Sequence, residues 1–265
     1  MISTLDLSEL RFCFELAAVD DIQPWGEGED RKLHWFGLTD GHHWISTPLG
    51  EALRYTDETL KQWESSSPYV DYQVARFFED LQLVLPAVLE PVPSDIAALV
   101  SDAKWFDCAE QWIAEKEDEN NRRELCYEAM DWYQERALDS MHLKNGPIFH
   151  FWRTGDKVTA RWEATGKNVE EVWSIPNGEF AVSVDQFSSA AYAFFNQLIQ
   201  AMQLRVETIR TKGWNRADCR LDIPQLISEQ QQRTTWINDL KDRRSETDWE
   251  KVRSLLNRLS IEFAR

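Results

Sequence analysis

The chain has 265 residues and a formal charge of −17, from 46 acids against 29 bases. With 43% hydrophobic residues and 13 Trp it can bury a large core, so wholesale disorder is excluded. The charge argues against coating nucleic acid or docking to anionic lipid, since both need a basic surface. It favours small molecules or a partner with a basic face.

The charge is uneven. Residues 1–145 hold 30 acids and 12 bases, and residues 146–265 hold 16 and 17. A single α+β domain over 1–265 is expected, with an acidic lobe (1–145) and a near-neutral lobe (146–265). Met1–Leu10 has neither a basic n-region nor an apolar h-region, so it does not read as a secretory signal. No apolar run is long enough to span a membrane. Cys13, Cys108, Cys126 and Cys219 are dispersed with no CxxC pair. They read as reduced thiols in a cytoplasmic protein.

In chain order, Arg11–Leu16 alternates as a strand. Leu33–Thr39 and His43–Thr47 read as a hairpin about Asp40-Gly41, with Glu51–Tyr55 as a further strand. Asp57 is placed to cap a short helix ending near Trp63. From Val70 to Val88 apolar residues recur at helical spacing, with Pro86 as a kink. Residues 95–118 and 120–139 read as two helices rich in Trp and acid. Ile148–Arg153 and Lys157–Ala164 form a second hairpin about Gly155-Asp156. Val172–Ile175 and Glu179–Val184 are expected to pair about Pro176-Asn177-Gly178. Ser183 or Asp185 then caps the longest helix, whose apolar face runs from Phe187 to Ile209 and which Gly213 stops. Two more polar helices begin near Pro224 and Trp249.

There is no regular βαβ alternation, which argues against a doubly wound parallel sheet. The order predicts an α+β fold. Its antiparallel sheet is built from N-terminal and central aromatic strands that combine into one sheet, packed by long amphipathic helices.

Nucleophile and phosphate-loop signatures are absent, and no catalytic residue, cofactor or metal is assigned. His42 and His43 are adjacent on a strand and face opposite sides, so they do not converge on an ion. Two site readings follow. In the first, acidic side chains between Asp102 and Asp139 meet a basic protein. Glu110, Glu117, Glu124 and Glu128 supply charge, and Trp105, Trp112 and Trp132 supply aromatic anchors if exposed. In the second, an enzyme or ligand-binding domain uses an aromatic-lined pocket with His34, Asp40, His42 and Arg76. A scaffold subunit of a larger assembly is a third reading.

Three stretches carry a family resemblance. They are Ile22-Gln23-Pro24-Trp25-Gly26 leading into Leu33-His34-Trp35-Phe36-Gly37-Leu38-Thr39-Asp40-Gly41; Pro68-Tyr69-Val70-Asp71-Tyr72 with Glu90-Pro91-Val92-Pro93; and Ser183-Val184-Asp185-Gln186-Phe187. Together they resemble a bacterial domain-of-unknown-function family, number 5984. The resemblance implies no activity, cofactor or catalytic residue. The layout, aromatic strands then long helices in an acidic chain, is similar to that of many immunity proteins of bacterial toxin systems. The leading expectation is therefore a cytoplasmic protein-binding protein that neutralises a basic toxin or effector, with no direct nucleic-acid or membrane contact.

Overall fold

The computed structural model describes residues 9–101, 103–114, 120–139, 143, 146–166 and 168–263. The N-terminal part holds β1 (Arg11–Leu16), β2 (Lys32–Leu33), β3 (Gly41–Thr47), β4 (Gly50–Ala52), α1 (Asp57–Trp63) and β5 (Val70–Asp71). Helices α2 (Val74–Leu89), α3 (Ser94–Ser101), α4 (Ala103–Ala114) and α5 (Asn120–Gln134) follow. Then come β6 (Ala137–Leu138), β7 (Pro147–Thr154), β8 (Lys157–Ala164), α6 (Val169–Val172) and β9 (Asn177–Ser183). Last are α7 (Val184–Lys212), β10 (Arg220–Leu221), α8 (Ile223–Leu240) and α9 (Trp249–Phe263).

The fold is α+β with antiparallel sheets, as the pattern predicts. The two strand groups do not merge into one sheet, however. One four-stranded sheet runs β1-β3-β4, with β5 also on β3, and a second runs β6-β7-β8-β9. A two-residue parallel pair, β2 with β10, stands apart.

The expected hairpin about Asp40-Gly41 does not form. β3 pairs instead with β1, from Arg11↔Ser46 to Leu16↔Gly41. The reason lies in residues 34–39, which curl rather than extend. Leu38 N–H donates to the His34 carbonyl at 2.9 Å and Thr39 N–H to Phe36 at 3.0 Å. Trp35 is fully buried, and its indole N–H donates to Gln230 on α8 at 2.7 Å. That buried polar contact fixes the turn against α8 and removes the segment from the sheet. Thr39 closes it. Its Oγ1 donates to the Phe36 carbonyl at 2.7 Å and accepts from Ala75 N–H at 2.9 Å. Thr39 thus caps α2 from a distance, where the side chain of the local N-cap, Gln73, makes no capping bond. The cap of α1 is Thr56, one residue before Asp57.

The second sheet follows its expected hairpin, with Thr154↔Lys157 flanking Gly155-Asp156. Gly155 has φ +61°, which a two-residue hairpin loop requires. β9 pairs with β8, while Val169–Val172 forms a helical turn, so the expected pairing about Pro176-Asn177-Gly178 is absent. Ser183 and Gln186 form a capping box at the start of α7. All eight residues of its predicted apolar face are buried, and Gly213 ends it.

Two cores result. The first joins Phe12, Ile45, Phe77, Phe151, Phe187 and Phe194 from both sheets, α2 and α7. The second lies under α3, α4, α5 and α9, and Trp152 of β7 reaches into it. Alternation along β7 sends Phe149 and Phe151 into the first core and Trp152 into the second. Within the expected helices 95–118 and 120–139, Ser94–Ser101, Ala103–Ala114 and Asn120–Gln134 are helical, while residue 102 and residues 115–119 lie outside the described residues.

Candidate partner-binding surface

Helix α5 sorts its residues by face. Leu125, Cys126, Ala129, Met130, Trp132 and Tyr133 are buried. Arg123, Glu124, Tyr127, Glu128, Asp131, Gln134 and Glu135 are exposed. These steps of three and four residues place one acidic stripe along the helix.

The three tryptophans expected as anchors are core residues, which corrects their assignment to a contact surface. Trp132 is 2% exposed and meets Trp249 edge-on, with ring centroids 5.4 Å apart. Trp105 and Trp112 are also buried, and each packs against Phe263, at 5.7 and 5.6 Å. They fill the second core because their helices are amphipathic and the tryptophans lie on the inner faces. Glu124 and Glu128 do face solvent. The Glu110 side chain and Glu117 lie outside the described residues.

The exposed aromatic of this surface is Tyr127, 63% accessible and one turn from both Glu124 and Asp131. It was legible in the sequence. Projection of residues 123–136 on a helical period puts Tyr127 with the acids and Trp132 with Leu125 and Ala129. Glu128 pairs with Lys251 of α9 at 2.8 Å, and that contact raises the lysine pKa. Both partners are about half exposed, so the pair adds little stability and leaves the surface solvated. Among the described residues, Glu124, Asp131 and Glu135 form no ion pair.

The alternative pocket residues fall into three settings. Asp40 and His42 come together near β5. Gln73 Nε2 donates to Asp40 Oδ1 at 3.3 Å, and His42 is in register with Asp71. Burial pushes the Asp40 carboxyl up, and nearby Asp71 adds to the rise. His34 sits elsewhere, edge-on to Trp25 at 4.6 Å, with its Nδ1 accepting from Gly37 N–H at 3.3 Å. Burial holds its pKa below the usual imidazole value. Arg76 is exposed and bonds Asp80 at 2.8 Å, one turn along α2. Among the described residues, no group of three or more His, Cys, Asp or Glu is placed to hold a metal ion.

A groove of about 580 Å³ runs between β1 and the C-terminal half of α7. Phe14, Leu16, Ile209 and Trp214 line it, and Leu204 at its rim is 71% exposed. Among the described residues, no helix is long and apolar enough to cross a membrane.

Comparison with known proteins adds a family and nothing further. No curated protein and no solved structure matches the chain. One family model, that of a family of unknown function (DUF5984), matches residues 11–255. The match spans both four-stranded sheets and every helix but the C-terminal half of α9, and the chain belongs to this family.

Proposed function

We propose that the chain is a protein-binding protein that offers the outer face of α5 to a basic partner. In this reading the partner is a toxin or effector, and binding neutralises it by covering its basic cleft. The observation that carries the reading is Tyr127, a large exposed aromatic set within an acidic stripe. Interface hot spots favour an aromatic that buries area at low entropic cost, ringed by polar groups that exclude water. The stripe supplies long-range attraction, which speeds encounter and weakens with salt. The strongly acidic N-terminal half adds to the same field.

Site-specific photocrosslinking tests the placement. A benzoylphenylalanine at position 127 is expected to crosslink one basic protein in cells of the source organism. The same probe at position 204, in the β1–α7 groove, is expected to give none. Crosslinking from 204 and not from 127 would overturn the assignment to α5.

A further inference from the structure

A second cavity lies far from α5 in chemistry. It encloses about 420 Å³ between the end of α2, the start of α7 and the segment after α8. That volume is in the range of small-molecule sites. Its floor is apolar, made by Leu85, Leu89 and Leu240 with the ring of Tyr192. Its rim is cationic, with Arg153, Lys241, Arg243 and Arg244 all lining it.

Four cations around one cavity are unexpected on a chain of charge −17. Among the described residues, none of the four forms an ion pair with a carboxylate. Arg244 Nη1 donates to the Lys241 and Arg243 carbonyls at 2.8 and 2.7 Å. Arg153 donates to the Leu89 carbonyl at 2.9 Å and to that of Gly155 at 2.9 Å. Carbonyl contacts orient the two guanidiniums but leave their charge uncompensated. The one acid of the lining, Glu90, is occupied elsewhere by Arg136 and Thr247. Asp242 lies beside the cavity and acts on Tyr192 together with Arg244, so one exposed acid offsets part of the field.

Helix-end stabilisation accounts for only part of this arrangement. Lys241, Arg243 and Arg244 follow the C-terminus of α8, where cations complement the helix dipole. Arg153 comes from β7 and bonds the Leu89 carbonyl at the C-terminus of α2, so cations serving two different helix ends converge on one rim. The dipoles do not explain a concave apolar floor beneath them.

We infer that this cavity binds a small organic anion, with a phosphate-type head at the Arg153–Lys241–Arg243–Arg244 rim and an apolar body against Leu85, Leu89, Leu240 and Tyr192. Planar guanidiniums suit the oxygens of such a head. The inference is independent of the α5 reading, since the two sites share no residue.

Isothermal titration with three probes tests it: phenyl phosphate, inorganic phosphate and phenol. Phenyl phosphate is expected to bind at least tenfold tighter than either fragment, because only it engages both rim and floor. Arg243→Glu with Lys241→Glu should weaken it at least tenfold, with unchanged circular dichroism and Tm. Lys212→Glu, in the β1–α7 groove, should leave it unaltered. Equal affinity for phosphate and phenyl phosphate would overturn the inference. So would an affinity that the rim variant leaves unchanged or that Lys212→Glu reduces equally.

Discussion

Arg136 and Glu90 form a buried ion pair that ties the end of α5 to the end of α2, with Nη2 and Oε2 2.6 Å apart. The Arg136 side chain is fully buried, and that of Glu90 is 13% exposed. Glu90 also accepts from Thr247, at 2.8 Å from its backbone N–H and at 2.6 Å from its hydroxyl, and so anchors the entry to α9. The guanidinium lies over the rings of Trp132 and Trp249, at 5.5 and 5.2 Å. Burial pulls the Arg136 pKa down, and Glu90 opposes that shift.

Breaking this pair one side at a time is expected to be costly. Glu90→Gln leaves a buried guanidinium without its counter-charge, which costs about 3–5 kcal/mol in such settings. Replacing both partners, as Glu90→Leu with Arg136→Met, should recover most of that loss, since no charge is then stranded. Urea denaturation of the three proteins checks this. A double variant no more stable than Glu90→Gln would contradict it.

His150 makes stability depend on pH. Its ring stacks on Tyr133 at 4.0 Å with planes 2° apart, and its Nε2 is buried without a hydrogen-bond partner. Burial, with Arg161 nearby, pushes its pKa down to about 4. A histidine depressed in the folded state binds its proton more readily when unfolded. Its contribution is complete above the unfolded value near 6.5 and is lost as pH falls toward 4. Between pH 7.5 and pH 5 the protein should lose about 2 kcal/mol through this residue, at 1.4 kcal/mol per pH unit. His150→Phe should lose that much less over the same interval. Parallel stability curves for the two proteins would contradict the assignment.

Gly178 lies opposite Trp162 across β8 and β9, and a Cβ there would come within 2.3 Å of the indole ring. Trp162 is 1% exposed, and its N–H donates to the Ile175 carbonyl at 3.1 Å, so the ring has nowhere to move. Gly178→Ala is expected to destabilise by about 1–3 kcal/mol through overpacking. A thermal melt reads this directly, and an unchanged Tm would show that the ring can shift.

Periodicity made the long elements legible. The α7 face from Phe187 to Ile209 and the β7–β8 hairpin each rest on contacts close in sequence, so their patterns predict them. Residues 33–44 defeated the same reasoning. Trp35 and Thr39 obey partners on α8 and α2, and β3 pairs with a strand that precedes the whole segment. Local pattern carries no record of such distant partners. At the candidate surface the acids were legible as charge. Residue type alone does not place the tryptophans, because helical phase decides exposure and separates Tyr127 from Trp132.

The measurement that tests the proposed function most directly is affinity capture with tagged protein at low and high salt, read by mass spectrometry. Three proteins are compared: the natural chain, a variant carrying Glu124→Lys, Tyr127→Ala and Asp131→Lys, and a control carrying Lys212→Glu. The account predicts one stoichiometric basic partner, held by the natural chain and the control, weakened by salt and lost from the α5 variant. A partner retained by the α5 variant, or none captured at either salt, would contradict it.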